Sequence, residues 1–391
     1  MLPPHPSLSA PFLKPKGIYP VENMPPYDPC WCGSDKKWKW CHKDREKRTP
    51  IKIGRLLYEM REKYSLGYCC HPDAGTHSCS QKIIRAHTIQ RKGGLAEVAE
   101  DGHVMSVKAG VEAIFDNEGR IDPILDGVRG ASTFNGFCNH HDTTLFRPIE
   151  NCSSSLSAES IFLLAFRAIA YELYTKRAAL QAVPIQQQMD FGAPFEIQAA
   201  IQQHLHYNAV GMKRGLAELE SLKNCYDSAY HRKDFSDFSV YAVEFSKILP
   251  VVASGAFYPE VDFYGNQLQK LGRGSAEFQQ IAFNLTTLNG TTVAAFGWLG
   301  RKDGPPAAFV ESFKNLSDSE KSTAVIQLAF EQLENTYMRP SWWLGLPEEW
   351  RNYAILKIKS GTGLAGIRGV EALSSRPYQF SEVGIRSDFY S

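Results

Sequence analysis

The sequence predicts an α+β protein in which a cysteine- and histidine-rich N-terminal part precedes long helices and a mixed C-terminal part. Three observations predict this class. Eight of the nine cysteines lie in the first 152 residues, and a helical period begins at Ser157. In the second half, Asn289-Gly290 separates two strand-like runs, which is a strong signal for a β-hairpin.

The composition excludes several classes of protein. With 391 residues, 43% of them hydrophobic and 22% charged, the chain can form about two or three globular domains and lacks the bias of a disordered protein. No apolar run reaches the roughly 18 residues of a membrane span, and the Pro-rich first residues do not resemble a secretory signal. We therefore expect a cytoplasmic protein with no membrane association.

The pattern divides the chain into five predicted parts. They are an extended arm over 1–29, a Cys/Trp/Lys segment with a basic helix over 30–65, a Cys/His-rich core over 66–150, a helical segment over 151–235 and an α+β domain over 236–391. Within the core, Lys82–Ile84 and His103–Val107 are predicted strands. In the helical segment, one helix should stop at Pro184 and a second should run from Pro194 to about Tyr226.

The C-terminal domain contains further predicted elements. The expected strands are Phe245–Ala253, Ala256–Phe263, Ile281–Thr287 and Thr291–Leu299. Ser317 and Glu320 form a capping box that should open a helix reaching about Tyr337. The last residues, Gly361–Ser391, show little periodicity and are expected to form a wrapping tail.

Charge is concentrated in one segment. The net charge is +1, but residues 34–63 contain 11 Lys or Arg against 5 Asp or Glu, a local excess of +6. Such a segment suits an acidic partner such as nucleic acid, or it is a solvated face.

The cysteines favour metal binding over disulfides, because their number is odd, no export signal is expected and histidines lie close by. In residues 30–42, Cys30, Cys32, Cys41 and His42 offer three thiolates and one imidazole, which suits tetrahedral zinc. Gly33 allows a tight turn after the second cysteine. So short a segment would depend on the metal for its folding energy.

This segment resembles the SEC-C motif, the zinc-binding tail of the SecA translocation ATPase that also occurs alone in many bacterial proteins. The resemblance implies a docking element for proteins or ribosomes. It would contact nucleic acid through Lys36, Lys37, Lys39 and the neighbouring tryptophans, or it is a purely structural zinc knuckle.

A second constellation lies in residues 67–150. Its residues are Cys70, Cys79, Ala86-His87, Arg91-Lys92-Gly93-Gly94 and Cys138-Asn139-His140-His141-Asp142. The layout resembles the HNH, or ββα-metal, nuclease fold, and the resemblance implies a treble-clef-like zinc core. It assigns His87 as general base, Asp142 as ligand of a divalent ion such as Mg²⁺ or Mn²⁺, and Arg91 and Lys92 to nucleic-acid binding.

The same resemblance implies a structural zinc held by Cys70, Cys79, Cys138 and His141. We prefer Cys70 to Cys69, with His71, His77 and His140 as substitutes. The chain departs from the family pattern because Ala86 stands where an Asp ligand is usual and Asp142 replaces a His.

Two hypotheses follow from the second constellation. The first is a metal-dependent nuclease with two structural zincs, acting on DNA or RNA. The second is a zinc-stabilised scaffold that binds protein or nucleic acid without catalysis, with oligomerisation left open. Ala86–Gln90 and Gly136–Phe146 also resemble a bacterial family found among phage-defence genes, which implies a role in defence or as a toxin.

Two further features are expected to be structural. Arg167 and Glu172 are predicted to be surface charges on the first long helix. Trp342, Trp343 and Trp350 are predicted to lie in a core or interface, with stacking on bases as the alternative.

Overall fold

A computed structural model describes residues 17–75, 77, 79–80, 82–107, 122–150, 156–271, 278–361 and 373–391. The chain forms two compact units. The first contains the described residues up to Leu66 together with Leu173–Ser221, and the second contains Gly67–Glu172 and Leu222–Ser391. In the described ranges, no helix has both the length and the apolar character needed to cross a bilayer.

The described ranges contain the following elements. The helices are α1 (Trp38–Cys41), α2 (Ile53–Ser65), α3 (Ala96–Val98), α4 (Asn139–Glu150), α5 (Ala158–Gln186), α6 (Phe195–Arg232), α7 (Pro305–Lys314), α8 (Asp318–Gln332), α9 (Pro340–Gly345) and α10 (Glu348–Gly361). The strands are β1 (Ile83–His87), β2 (His103–Ser106), β3 (Ile124–Gly127), β4 (Thr133–Cys138), β5 (Phe238–Phe245), β6 (Val251–Phe257), β7 (Ile281–Leu288), β8 (Thr291–Leu299), β9 (Thr336–Met338) and β10 (Ile385–Tyr390).

The first unit has a small core built around its cysteines. The buried members are Ile18, Cys30, Trp31, Cys32, Trp38 and Cys41, with Phe195 and Ala199 of α6 packed against them. Gly192 adopts a φ of 79°, and a Cβ there would lie 2.7 Å from the Pro50 ring and 2.9 Å from the Arg48 carbonyl. This close approach, which requires glycine, holds the chain after α1 against the turn before α6.

The second unit is built on an eight-stranded antiparallel sheet. Its strand order is β10-β5-β8-β7-β6-β9-β2-β3, so β2 and β3 from the predicted Cys/His-rich core share a sheet with the C-terminal strands. All eight residues of β7 are buried, because both faces of the sheet are covered. Helices α7 and α8 contribute Phe309, Phe313 and Phe330 to the main core, and Trp343 is buried in the same core.

A separate two-stranded sheet pairs β1 with β4, and α4 follows β4 directly. The register runs from Ile83 opposite Cys138 to His87 opposite Thr133. These three elements form a ββα unit, in which β2 and β3 lie on the long connection between the two strands. The predicted α+β class is therefore confirmed.

Several predicted elements are confirmed. Strands β7 and β8 form the expected hairpin, with Asn289 and Gly290 both at positive φ, 51° and 74°. The Glu320 carboxylate accepts a hydrogen bond from the Ser317 amide (3.2 Å), completing the capping box of α8.

Other predicted boundaries are wrong. The expected strand Phe245–Ala253 spans a turn, since β5 ends at Phe245 and β6 begins at Val251 after Pro250, which cannot donate to a ladder. The expected strand Ala256–Phe263 ends at Phe257, before Pro259. Pro184 lies inside α5, and α8 ends at Gln332, short of Tyr337.

The predicted C-terminal tail is partly a strand. Residues Ile385–Tyr390 form β10, which pairs antiparallel with β5 at the edge of the large sheet. Residues 362–372 of the predicted tail lie outside the described residues.

Candidate metal centres and the adjoining histidine site

The first candidate centre is a cluster of three thiols and one imidazole in residues 30–42. The side chains of Cys30, Cys32, Cys41 and His42 are buried, and their donor atoms all lie within 4.8 Å of one another. Cys30 Sγ is 3.2 Å from His42 Nδ1, and Cys32 Sγ is 3.6 Å from Cys41 Sγ. A tetrahedral zinc with these ligands separates its donors by roughly 3.5–3.8 Å. The cluster therefore has the composition and size of a zinc site.

Backbone hydrogen bonds close the segment around this cluster. The Cys30 amide donates to the Lys36 carbonyl (2.8 Å), and the Gly33 amide donates to the Cys30 carbonyl (3.2 Å). Gly33 has a φ of 75°, a left-handed conformation that favours glycine. Helix α1 then returns the chain, so that Cys41 and His42 face the first pair of cysteines.

Hydrogen bonds among the three sulfurs distribute negative charge unevenly. The contact with Cys30, followed by that with Cys32, holds the pKa of the Cys41 thiol far below its usual range. Contacts with Cys32 and Cys41 raise the pKa of Cys30. The cluster thus stabilises one thiolate and disfavours ionisation of a second thiol. A divalent cation would supply the positive charge that allows further thiols to ionise.

The ring of His42 is held from the side opposite the thiols. Its Nε2 lies 3.3 Å from Asp190 Oδ2, and because a carboxylate only accepts, Nε2 carries the proton and Nδ1 is left for a metal. Asp190 is 0% exposed and also accepts from Arg45 Nε (2.6 Å) and Gln202 Nε2 (2.7 Å). Burial alone would lower the pKa of His42, but the hydrogen bond to Asp190 and the nearby thiols raise it to about 10. Sequence reasoning missed Asp190, which lies 148 residues from His42.

The second candidate centre brings together residues from a longer stretch of chain. Cys69, Cys79, Cys138 and His141 place their donor atoms within 4.8 Å of one another. Cys69 Sγ is 3.4 Å from His141 Nδ1 and accepts a hydrogen bond from the Cys138 amide at 3.4 Å. Cys138 and His141 are buried, while Cys69 and Cys79 are half-buried. This set again fits zinc.

The thiols of the second cluster differ in acidity. Burial raises the pKa of Cys69 to about 12. Burial alone would also raise the pKa of Cys138, but hydrogen bonds with Ser80 and from the His141 amide lower it to about 7. The Cys138 thiol therefore ionises more readily near neutral pH than the Cys69 thiol does.

Cys69, not Cys70, belongs to this cluster, which corrects the choice of Cys70 made from the sequence. Residues 68–70 run alongside β4, where the Tyr68 and Cys70 amides donate to the Asn135 and Gly136 carbonyls (3.1 and 2.8 Å). Neighbouring side chains of an extended segment point to opposite sides. Cys69 therefore faces the cluster and Cys70 faces away from it.

The proposed histidine substitutes lie outside the donor set. The His71 ring stacks on the His141 ring, with centroids 3.9 Å apart and planes 6° apart. Burial, and then the charge of His141, lowers the pKa of His71 to about 4. His77 and His140 are exposed.

His87 is the last residue of β1 in the ββα unit, and its side chain is half-buried. Its Nε2 lies 3.1 Å from the Val128 carbonyl, and because a carbonyl only accepts, Nε2 carries the proton. Burial lowers the pKa of His87, so that its other ring nitrogen, Nδ1, is unprotonated at neutral pH. The preceding Ala86 is 2% exposed and fills the core at the position where the family pattern has a carboxylate.

Asp142 lies in the first turn of α4, next to His141. Burial raises the pKa of its carboxyl group, and the nearby Arg167 opposes that shift. Among the described residues, no hydrogen-bond partner reaches its buried Oδ1. A buried carboxylate oxygen without a donor is a suitable ligand for a hard divalent cation.

The structure adds two charged residues that sequence reasoning missed. Arg167 is 1% exposed, so the expectation of a surface charge on the helix is wrong. Its Nη2 donates to Glu150 Oε1 at 2.7 Å. Both residues influence the pKa of His87 and that of Asp142. The available signal was an arginine inside the apolar run 161–170, where a charge requires a specific partner.

After β1 the chain forms a single π-helical turn over Arg91–Leu95, on which Arg91 and Lys92 are exposed. A Cβ on Gly94 would lie 2.6 Å from Ile89 and 2.7 Å from Thr286, so this glycine is required by packing. The charge of Arg91 contributes to the lowered pKa of His87, which places this turn near the histidine.

Of the predicted nucleic-acid-binding lysines of the first unit, Lys36 and Lys37 are exposed and Lys39 is half-buried. Lys39 Nζ is 4.0 Å from the Tyr27 ring centroid and 4.4 Å from that of Trp40, which is 62% exposed. We call Tyr27, Lys36, Lys37, Lys39 and Trp40 the lysine–aromatic patch.

Comparison with known proteins gives a short match. The chain is 53% identical over 34 residues to methionine aminopeptidases of Chlamydia trachomatis and Chlamydia muridarum. The match covers 9% of this chain and spans 12% of the length of those curated relatives. No family model and no solved structure matches the chain.

Proposed function

We propose that this protein is a nuclease of the HNH type, in which two zinc centres hold the fold and His87 is the general base in phosphodiester hydrolysis. The observation that carries the proposal is the hydrogen bond from His87 Nε2 to the Val128 carbonyl (3.1 Å) at the end of β1. This bond fixes the ring and its tautomer, and leaves Nδ1 to accept a proton from a water molecule. The lowered pKa of His87 keeps that nitrogen free at neutral pH.

A divalent cation such as Mg²⁺ or Mn²⁺ would be held by the Asp142 carboxylate, whose buried Oδ1 lacks a donor among the described residues. When bound, the cation neutralises the negative charge that develops on the phosphate. His87 and Asp142 lie on β1 and α4, two packed elements of one ββα unit. The two clusters Cys30/Cys32/Cys41/His42 and Cys69/Cys79/Cys138/His141 would each hold a structural zinc, the second directly before Asp142.

Nucleic acid would be recruited by basic residues in each unit. Arg91 and Lys92 are exposed on the turn near His87 and would contact phosphates. The lysine–aromatic patch combines cations with exposed rings, a combination that suits backbone contact and base stacking. It would serve equally as the docking surface of a SEC-C-like knuckle for a protein partner. A setting in defence against foreign nucleic acid, or as a toxin, stays a prediction.

The match to methionine aminopeptidases does not extend this proposal to peptide hydrolysis, because it spans only 12% of those enzymes. A shared segment of 34 residues is the size of a small module rather than of a catalytic domain.

The test is cleavage of plasmid DNA and of RNA by purified protein with Mg²⁺ or Mn²⁺. We expect His87→Ala to lower the rate by about 10²–10⁴-fold, the usual contribution of a general base, with zinc content unchanged. His103→Ala is the matched control, because His103 is an exposed histidine on β2 of the same unit. The wild-type rate should fall as the pH drops through the lowered pKa of His87, below 6.5.

Two results would contradict the proposal, the first the nuclease activity and the second the role of His87. One is a wild-type protein that contains both zincs and cleaves neither substrate, which would favour the non-catalytic binding scaffold. The other is cleavage that survives His87→Ala, which would move the catalytic site elsewhere.

A further inference from the structure

Arg167 on α5 is a buried cation with an incomplete set of partners. Its guanidinium group is 1% exposed and lies 3.8 Å above the centroid of the Phe146 ring. Nη2 donates to Glu150 Oε1. In the part of the chain that the structure describes, Nε and Nη1 of Arg167 are buried and no acceptor reaches them.

Such an arrangement is costly unless another group completes it. A buried guanidinium requires both a counter-charge and acceptors for its N–H groups. Glu150 supplies one carboxylate, but that side chain is 42% exposed and engages a single nitrogen of Arg167. The two remaining donors, Nε and Nη1, could satisfy an oxyanion from outside the chain.

The position of Arg167 points to the same site as His87 and Asp142. Asp142, Phe146 and Glu150 are spaced by four residues and therefore lie along one face of α4. Arg167 covers that face, since it stacks on Phe146 and bonds Glu150. Asp142 Oδ1 and the free donors of Arg167 do not pair with each other, although the two side chains influence one another electrostatically.

We propose that Arg167 binds phosphate in the site formed by His87 and Asp142, with Nε and Nη1 donating to non-bridging oxygens of a nucleic-acid backbone. The inference rests on the proposed nuclease function. A phosphate between Arg167 and a cation on Asp142 would satisfy both sets of unpaired polar atoms. The planar guanidinium, with its donors in a fixed fork, matches phosphate geometry better than a lysine ammonium does.

The experiment titrates inorganic phosphate into the full-length zinc-loaded protein at constant ionic strength, with binding followed by ³¹P NMR. We expect Arg167→Met to weaken phosphate binding by about 10–100-fold, the loss that removal of charge-assisted hydrogen bonds produces. Arg167→Lys keeps the positive charge but lacks the planar set of N–H donors. Its phosphate affinity should therefore fall between that of the wild type and that of Arg167→Met.

Lys223→Met is the matched control. Lys223 is also a buried cation over an aromatic ring, 4.4 Å from the centroid of Phe166, but its ammonium is already paired with Asp227. Its substitution should leave phosphate binding within about twofold, because its donors are not directed to an external anion. If Arg167→Met fails to fold, the comparison of Arg167→Lys with the wild type decides the matter.

The outcomes separate this inference from the proposed function. Phosphate binding that depends on Arg167 in a protein that cleaves no nucleic acid would support the phosphate site and contradict the nuclease. Cleavage with an unchanged KM in Arg167→Lys, or phosphate binding that is equal in wild type and Arg167→Met, would overturn the inference alone. A wild-type protein that binds no phosphate would also overturn it.

Discussion

The two candidate metal centres share one donor set, three thiols and the Nδ1 of a histidine, but they are assembled in different ways. The first is contained in residues 30–42 and closes on itself through a turn and one turn of helix. The second joins residues 69 and 79, which precede β1, to residues 138 and 141 at the junction of β4 and α4. The first centre is thus a local knuckle, and the second braces a ββα unit.

The surroundings of the two centres also differ. All four donors of the first centre are buried, and Asp190 holds the ring of His42 from its other nitrogen. The second centre has two half-buried thiols and lies directly before Asp142 in the candidate active site. The same ligand set is thus assembled in two ways, within one short segment and at the junction of two elements of a ββα unit.

The largest expected effect comes from removing a ligand of each centre. Cys41→Ser and Cys138→Ser should each lose one zinc, but with different consequences. A structural zinc contributes on the order of 10 kcal/mol to the folding of a small knuckle. Cys41→Ser should therefore expose the buried Trp31 and Trp38 and shift tryptophan emission to longer wavelength.

Cys138→Ser should instead abolish cleavage, because it releases the junction of β4 and α4, while the emission of Trp31 and Trp38 stays unchanged. Metal analysis, fluorescence and plasmid cleavage on the same preparations check this pair. Identical changes in the two variants would show that the centres are not independent.

A smaller effect on zinc binding is expected when Asp190, the carboxylate hydrogen-bonded to His42 Nε2, is substituted. Asp190→Asn removes the charge that orients the imidazole, so zinc affinity at the first centre should fall by about 10–100-fold. Competition with a zinc chelator measures this change. Asp44→Asn is the control, because Asp44 is exposed and pairs with Lys47 at the surface. Equal zinc affinities in Asp190→Asn and wild type would show that Asp190 does not contribute to metal binding at the first centre.

The smallest effect concerns recruitment of nucleic acid. If the lysine–aromatic patch contacts phosphates, Lys37→Ala and Lys39→Ala should each reduce the slope of log affinity against log salt by about one. Fluorescence anisotropy with a labelled oligonucleotide measures the slope. Arg91→Ala and Lys92→Ala provide the comparison in the second unit. An unchanged slope in both lysine variants would show that the patch does not contact phosphates, and it would favour a protein partner for this surface.

Local features were predictable from the sequence because short-range chemistry determines them. The spacing of Cys30, Cys32, Cys41 and His42 identified a cluster that the structure brings together within 4.8 Å. The hairpin at Asn289-Gly290 was predictable because Asn-Gly tolerates the positive φ that a two-residue hairpin turn requires. Both residues adopt a positive φ in the structure. These signals need no knowledge of the rest of the fold.

Features that depend on distant parts of the chain were not predictable. Whether Cys69 or Cys70 faces the second cluster is set by the pairing of residues 68–70 with β4. The burial of Arg167 depends on the approach of α5 to α4, and the carboxylate behind His42 comes from residue 190. The sequence shows which residue types are present, but it does not show which distant residues each of them contacts in the fold.

The two-zinc architecture is tested by the zinc content per chain of wild-type, Cys69→Ser and Cys70→Ser proteins, measured by native mass spectrometry. The two cysteines are adjacent in sequence and point to opposite sides of one extended segment, so each variant serves as the control for the other. We expect two zincs in the wild type, one in Cys69→Ser and two in Cys70→Ser. Fewer than two zincs in the wild type, or loss of zinc from Cys70→Ser and not from Cys69→Ser, would contradict this expectation.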